Sequence, residues 1–545
     1  MRTTELILLA LSSGCAIVLA SDALFEPNDF SVTDALEDIG VSVNKLPAPK
    51  PDLAALGERY FSTSCTLAAS AEAIKGQRLI LIENSTAYGS FTEAYWSGQQ
   101  GALNPACVFR PTKTLDVSAV VLISRLYQCP FAVKGGGHAA WAGASSIEDG
   151  ITISLEGFKQ AVVSADKQTI DTGPGLKWVD IYTAAEKHGL SVVGGRVASV
   201  GVSGLTLGGG ISHFTNKHGW ACDNVESYEL VTASGRAINV TAKSYPDLYW
   251  ALRGGGNNFG IVTNFKLAAF PLGQMWGGSR YYLEDSFPGV LDAIYNFAVT
   301  ESAKDLDAAE FVVIAPSPGI GKVMVSTLNY AKPLANASVF NDWNKVTPLN
   351  GSDTTGFRTM SGMATHLSEG GPPAGTFETF WGITLKMDRS FLDFIVDTFF
   401  AQVATIADVA QVLQIMAIQP ITKSAMQAMQ KNGGNTLGLD PKTGPYFVLN
   451  FNSAWTMAED EPKFFGVILN VIKAVKAEAQ TRGLDNDYIY LNYASEYQDP
   501  IGSYGAANKK RLIDISKKYD PAQVFQYLQP GGFKLVQNAP KPGDL

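Results

Sequence analysis

The five residues Lys134-Gly135-Gly136-Gly137-His138, continued by Ala139-Ala140-Trp141-Ala142-Gly143, hold the densest chemistry in the chain. Three consecutive glycines let the backbone take positive φ and come close to a bound group. Successive N–H groups in such a turn form a concavity that suits an anion. His138 stands at the exit of the loop, where an imidazole nitrogen meets whatever the loop holds. Alone, the stretch also reads as a tight turn with a surface histidine, because short glycine motifs recur by chance.

Two further glycine-rich runs follow in order. The first is Gly194-Gly195-Arg196-Val197-Ala198-Ser199-Val200-Gly201-Val202-Ser203-Gly204-Leu205-Thr206-Leu207-Gly208-Gly209-Gly210-Ile211. The second is Trp250-Ala251-Leu252-Arg253-Gly254-Gly255-Gly256-Asn257-Asn258-Phe259-Gly260-Ile261-Val262-Thr263. Near the C-terminus Tyr490 and Asn492 stand two apart, so on a strand the phenol and the amide point the same way. Such a pair can hydrogen-bond the edge of a heterocycle or steer a substrate. His213 and His218 have the spacing of a metal pair, but no cysteine or acidic cluster completes a site, and no metal is expected.

The elements that must position these residues are short. Residues 130–133 and 150–155 read as strands on either side of the first loop. Residues 116–126 and 178–188 read as helices, the second closed by Gly189. Residues 168–173 read as a strand ending in a turn. The first half therefore alternates strands with short helices, with no Gly-x-Gly-x-x-Gly after a first strand, so it is not a Rossmann fold. From about 274 to 483 the glycine runs stop and aromatics rise. There, residues 281–282, 311–314 and 446–451 read as strands, and 391–403 and 461–479 as amphipathic helices. Residues 509–518 read as one more helix, which Tyr519-Asp520-Pro521 stops.

The chain has 545 residues, 46% of them hydrophobic and 17% charged, enough for two or three domains with large cores. A net charge of −9 argues against nucleic-acid partners. Residues 1–20 carry Arg2, an apolar run from Leu6 to Leu11 and small residues at Val18 and Ala20, the pattern of a signal peptide cleaved before Ser21. No other stretch reaches the ~20 apolar residues of a membrane span. Sequons at Asn84, Asn239, Asn336 and Asn350 agree with passage through the secretory pathway. Beyond Cys15, the cysteines Cys65, Cys107, Cys129 and Cys222 allow three full pairings, and the sequence does not choose among them.

The three glycine runs in this order, with Tyr95-Trp96-Ser97 and Pro105-Ala106-Cys107-Val108-Phe109-Arg110-Pro111 upstream, resemble the berberine-bridge-enzyme-like oxidoreductases, a branch of the vanillyl-alcohol-oxidase superfamily. The resemblance resumes at Tyr490-Leu491-Asn492-Tyr493 and at Lys518-Tyr519-Asp520-Pro521-Ala522-Gln523-Val524-Phe525, and it is nearest to fungal members. It implies an α+β fold: a two-part FAD-binding domain of the PCMH type and an α+β substrate domain with an antiparallel sheet. The implied layout is a signal peptide at 1–20, an N-terminal extension at 21–52, the FAD-binding domain at 53–272 with its PCMH-type core from about 105, the substrate domain at 273–486, and a return to the FAD-binding domain at 487–545. An early cysteine paired with one before the first loop is common in the family, which implies Cys65–Cys129 and leaves Cys107 and Cys222 free.

The implied cofactor is FAD. By resemblance, Lys134, Gly135, Gly136, Gly137, His138 and Gly143 hold it from the first loop. Val197, Ser199, Val200, Gly201, Ser203, Gly204, Gly208, Gly209 and Gly210 line its pyrophosphate and ring. Asn224 lies beside the flavin, and Gly260, Ile261 and Val262 lie against the adenosine. His138 matches the position bonded to the flavin 8α-methyl, a bond that needs a neutral imidazole. Val197 stands where bicovalent members carry cysteine, so one covalent link is expected. Val200 matches the position where a small side chain goes with oxygen access, which points to O2 as acceptor. The glutamate base of plant members is missing, which leaves Tyr490, Asn492, Asp440 and Tyr446 as candidate catalytic groups.

The expected protein is thus a secreted FAD-linked oxidase of a small, mostly apolar natural product in fungal specialised metabolism, with no membrane partner after cleavage of the signal. A carbohydrate or oligosaccharide oxidase is the alternative within the enzymes. A flavin- or ligand-binding protein without turnover is the alternative outside them.

Overall fold

Two of the strands expected around the first loop, β3 (Phe131–Lys134) and β4 (Ile151–Ser154), run parallel, with Phe131 opposite Ile151 and Lys134 opposite Ser154. A parallel pair forces the chain leaving β3 to cross back to the start of β4, so residues 135–150 loop over the carboxyl end of the strand. The computed structural model describes residues 25–46, 80–83, 85–409 and 411–536. Cys65, the expected partner of Cys129, and the expected signal peptide lie outside the described residues. Cys107 and Cys222 are buried free thiols.

The first sheet is completed by β1 (Ile80–Ile82) and β2 (Cys107–Phe109), in the order β1-β2-β4-β3. Helix Thr114–Tyr127 covers it, burying Val117, Val120, Val121 and Ile123 completely at helical spacing. Within the stretch expected as an N-terminal extension, residues 25–46 include packed structure. Residues Val32–Asp38 form a helix capped by Ser31, whose Oγ accepts from the Asp34 N–H at 3.2 Å, and Leu36 is fully buried. Glu26 pairs with Arg125 at 2.8 Å, with both side chains more than nine-tenths buried.

The second sheet is antiparallel and is organised on strand Ile261–Pro271, which pairs with strands Thr169–Thr172, Leu190–Val192 and Val225–Val231. Helix Trp178–Glu186 packs Trp178, Ile181, Tyr182 and Ala185 into the core, and Gly189 turns the chain at φ +70°.

The third sheet has eight strands, and every pairing in it is antiparallel. Its interior strand Tyr446–Trp455 is buried along its whole length. Phe447, Leu449, Phe451 and Trp455 share a core with helices Arg389–Val403 and Glu461–Arg482. The alternate residues face the other way, and Asn452 stands opposite Phe380 of strand Phe377–Lys386. From Tyr488 onward the chain rejoins the core of the second sheet, with Tyr490, Tyr504, Leu512 and Tyr519 packed in the same cluster as Trp178 and Tyr228. Helix Ala506–Tyr519 stops at Asp520, whose carboxylate accepts from the N–H groups of Val524 and Phe525.

Candidate active site

The first loop is held down from outside. The Trp96 N–H donates to the Gly137 carbonyl at 3.2 Å, and the Ser97 hydroxyl and Gln100 amide both donate to the Ala139 carbonyl. Gly136 and Gly201 touch backbone to backbone: a Cβ on Gly136 would lie 2.5 Å from the Gly201 Cα. A Cβ on Gly135 would lie 2.0 Å from the Ser203 Oγ. These glycines therefore bring the first and second runs into contact, which side chains would prevent.

His138 stacks on Trp96 with centroids 4.3 Å apart, and Trp96 stacks in turn on Phe380 at 5.3 Å. Its Nε2 is 3.3 Å from the Ser199 hydroxyl. Burial above all holds its pKa down to about 4, so the imidazole is neutral across the physiological range. The ring lines a cavity of about 390 Å³.

Five segments and one strand wall that cavity. The first loop supplies Gly135 to Trp141, and the second run supplies Arg196, Val197, Val200, Gly201, Ser203 and Gly204. Gly256, Asn257, Gly260, Ile261 and Val262 come from the third run, and Tyr490 to Ala494 from the C-terminal return. Gln529 and Phe533 close one side, and Phe380 of the large sheet closes another. The walls are mostly apolar, with polar groups at a few points, as in sites for cofactors and small ligands.

Tyr490 and Asn492 lie in a turn and the 3-10 helix Leu491–Tyr493, not on the strand expected. They meet nonetheless: Asn492 Nδ2 donates to the Tyr490 hydroxyl at 2.9 Å. The same phenolic oxygen accepts from the N–H groups of Gly210 at 3.1 Å and Ile211 at 3.2 Å. Burial pushes the Tyr490 pKa up, while these three donors oppose the rise. Charge that develops on this oxygen meets donors already in place.

Several expected site residues stand elsewhere. Lys134 does not reach the cavity; its ammonium lies over the rings of Phe91 and Tyr95 at 4.8 and 4.9 Å. Gly208, Gly209 and Gly210 do not line it either. They wrap Asn492 and Trp220, where a Cβ on Gly208 would fall 2.0 Å from Asn492 Oδ1. Gly143, at φ +84°, lies against Gly531, whose added Cβ would meet the Gly143 carbonyl at 1.9 Å. The Asn224 amide is spent on the carbonyls of His218 and Trp220 and on Lys431. Asp440 is an exposed turn carboxylate that accepts from the Lys442 N–H, and the Tyr446 hydroxyl is bound to Thr443, so neither candidate base faces the cavity. Ser199 reaches the site only through His138.

Other residues at the site drew no expectation. Arg196 bonds Gln419 and the Tyr493 hydroxyl and lies over the Phe311 ring at 4.6 Å. Trp96, Phe380 and Tyr493 form the aromatic wall around it and His138. The one sequence signal for Arg196 was a lone charge inside a glycine run. His213 is fully surrounded by protein and His218 stacks on Phe270, and among the described residues no three metal-binding side chains gather.

A family described as FAD binding domain matches residues 105–241. The chain is 36% identical over 476 residues to the FAD-dependent monooxygenase FUP4 of Fusarium proliferatum, covering 84% of this chain and 91% of the relative. It belongs to the same family of FAD-dependent oxidoreductases. The bifunctional solanapyrone synthase of Alternaria solani is 33% identical over 79% of this chain and 82% of its own. Among solved structures, Physcomitrella patens BBE-like 1 superposes with a TM-score of 0.70 at 16% identity, over 89% of this chain and all of that one. A chitooligosaccharide oxidase superposes with a TM-score of 0.69 at 17% identity, over 87% of this chain and 99% of that one. These likenesses give the fold, an FAD-binding α+β fold with antiparallel sheets, and the protein is an FAD-dependent oxidoreductase. Its own residues fit the cofactor: glycine contacts that side chains would fill, a neutral imidazole lining the cavity, and the apolar walls of Ile261 and Val262.

Proposed function

We propose that this protein is an oxidase of a small, largely apolar natural product in fungal specialised metabolism, removing a hydride from a C–H next to oxygen or nitrogen, or from an activated ring carbon. FAD, bound in the cavity, would accept that hydride and pass the electrons to O2, giving H2O2. His138, neutral and lining the cavity, is the single attachment point, and Val197 cannot form a second bond. Val200 lines the cavity at the position associated with oxygen access.

The observation that carries this reading is the Tyr490 oxygen with its three donors. As the hydride leaves, the substrate gives up a proton, and Tyr490 would take it as the phenolate, becoming the neutral phenol that burial favours. The Gly210 and Ile211 N–H groups and the Asn492 amide stabilise that phenolate before it takes the proton. Tyr490→Phe removes the acceptor. In anaerobic mixing with substrate, flavin reduction should slow about a hundredfold or more while flavin content is kept. Reduction at the unmutated rate would overturn the role.

The names of the monooxygenase relatives favour a second outcome, transfer of an oxygen atom to the product. One equivalent of peroxide per product supports the oxidase; labelled oxygen in the product supports insertion. The apolar walls disfavour a carbohydrate, which would want more polar groups than the cavity offers. Secretion is part of the proposal and rests on the signal-like start and the sequons.

A further inference from the structure

Arg196 is a cation that the protein leaves unpaired inside the cavity. Its guanidinium has five N–H donors. Among the described residues only two groups accept from it, the Gln419 amide oxygen and the Tyr493 hydroxyl, and both are neutral. Arg125 is ion-paired with Glu26 and Arg280 with Asp353, whereas among the described residues no carboxylate pairs with Arg196. The nearby His213 cannot supply a negative charge. Burial first, and Arg196 second, press its pKa to about 3, which leaves it neutral.

A half-buried charge without a counter-ion costs free energy, and sites keep such charges where a ligand supplies the partner. The fork is also aimed. Gln419 and Phe311 fix it from the large sheet, and Tyr493 fixes it from the C-terminal turn that carries Tyr490. The Phe311 ring lies against it, Tyr493 bonds it through its hydroxyl, and Phe380, tilted against Tyr493, lines the same cavity. A planar fork between aromatic rings matches a flat, apolar molecule carrying an anionic oxygen.

We propose that Arg196 is a substrate-specificity residue and that the substrate carries a carboxylate or an ionised enol or phenol oxygen, which pairs with the guanidinium while the ring system lies against the aromatic wall. This rests on reading the cavity as the place where substrate meets FAD. Such an oxygen would be anchored on the same turn that holds Tyr490, so one end of the substrate is fixed relative to the proton acceptor.

The test is calorimetric titration of the purified holoprotein with benzoate and with benzamide, which share shape and differ in charge. Flavin content is read from visible absorbance in the same sample. Benzoate should bind and benzamide should bind at least roughly tenfold more weakly, the worth of one charge-assisted hydrogen bond. Arg196→Gln should erase that preference, and Arg196→Lys should keep part of it. Equal binding of the two probes by the unmutated protein, no binding of either, or a benzoate preference that survives Arg196→Gln overturns the proposal. If Arg196→Gln does not fold, the unmutated comparison still decides. A sample that binds benzoate selectively but carries no flavin would defeat the FAD reading and leave the anion site standing.

Discussion

At the scale of single residues, two kinds of buried group set the chemistry and the pH response. His138 and Tyr490 face the cavity and do the proposed work. Glu378 is buried 2 residues from Phe380 on the same strand, with Thr376 donating to Oε1 at 2.9 Å and Oε2 without a partner among the described residues. Burial raises its pKa to about 8. The sign follows from linkage: the unfolded chain loses this proton near pH 4.5, the folded chain only near 8, so stability is full below 4.5 and is lost as pH rises through that window. The slope is at most about 1.4 kcal/mol per pH unit. Glu378→Gln should therefore raise the melting temperature relative to the unmutated protein more at pH 8 than at pH 5, measured by thermal scans in matched buffers; an equal difference at both would contradict the assignment. His138, Val197 and Tyr490, singled out by their motifs, line the cavity, whereas Arg196 drew no expectation, because its partner Gln419 lies 223 positions away and a lone charge in a glycine run names no partner.

At the scale of elements, the cavity exists because two glycine loops meet. Gly136 and Gly201 approach so closely that a methyl group on either collides with backbone, which cannot rotate away. Gly136→Ala should cost about 1–3 kcal/mol by overpacking and loosen the cavity floor. Urea unfolding should show a lower midpoint, and a midpoint unchanged within error would mean the loops part freely. Periodicity gave the helices well: the expected 178–188 is observed as Trp178–Glu186 and the expected 391–403 as Arg389–Val403. It misplaced Tyr490 and Asn492 on a strand. Their conformation is set by donors at Gly210 and Ile211, nearly 280 residues earlier, and no local pattern contains that information. The same tertiary partnership explains the glycines 208–210, which make room for Asn492 and Trp220 and do not touch the cavity.

At the scale of the whole molecule, three sheets converge on one cavity, and the chain visits it four times before the C-terminal segment closes it. The two-part layout was legible because glycine runs and aromatic strands separate along the sequence. The packing of residues 25–46 was not, since the Glu26–Arg125 pair that tethers them spans 99 positions. The proposed secretion is also a matter for the whole chain. Asn239, Asn336 and Asn350 are exposed and accessible to glycosylation. Protein from a fungal host should begin near Ser21 and lose mass on deglycosylation; an intact Met1 without glycan would contradict secretion.

The most direct measurement of the central claim, that His138 anchors FAD in this cavity through one bond, is a proteolytic digest of acid-denatured protein. The flavin should stay with the precipitated polypeptide, and the digest should contain one yellow, fluorescent peptide that includes His138. Flavin released wholly into the acid supernatant, or carried on a cysteine peptide, would contradict the account.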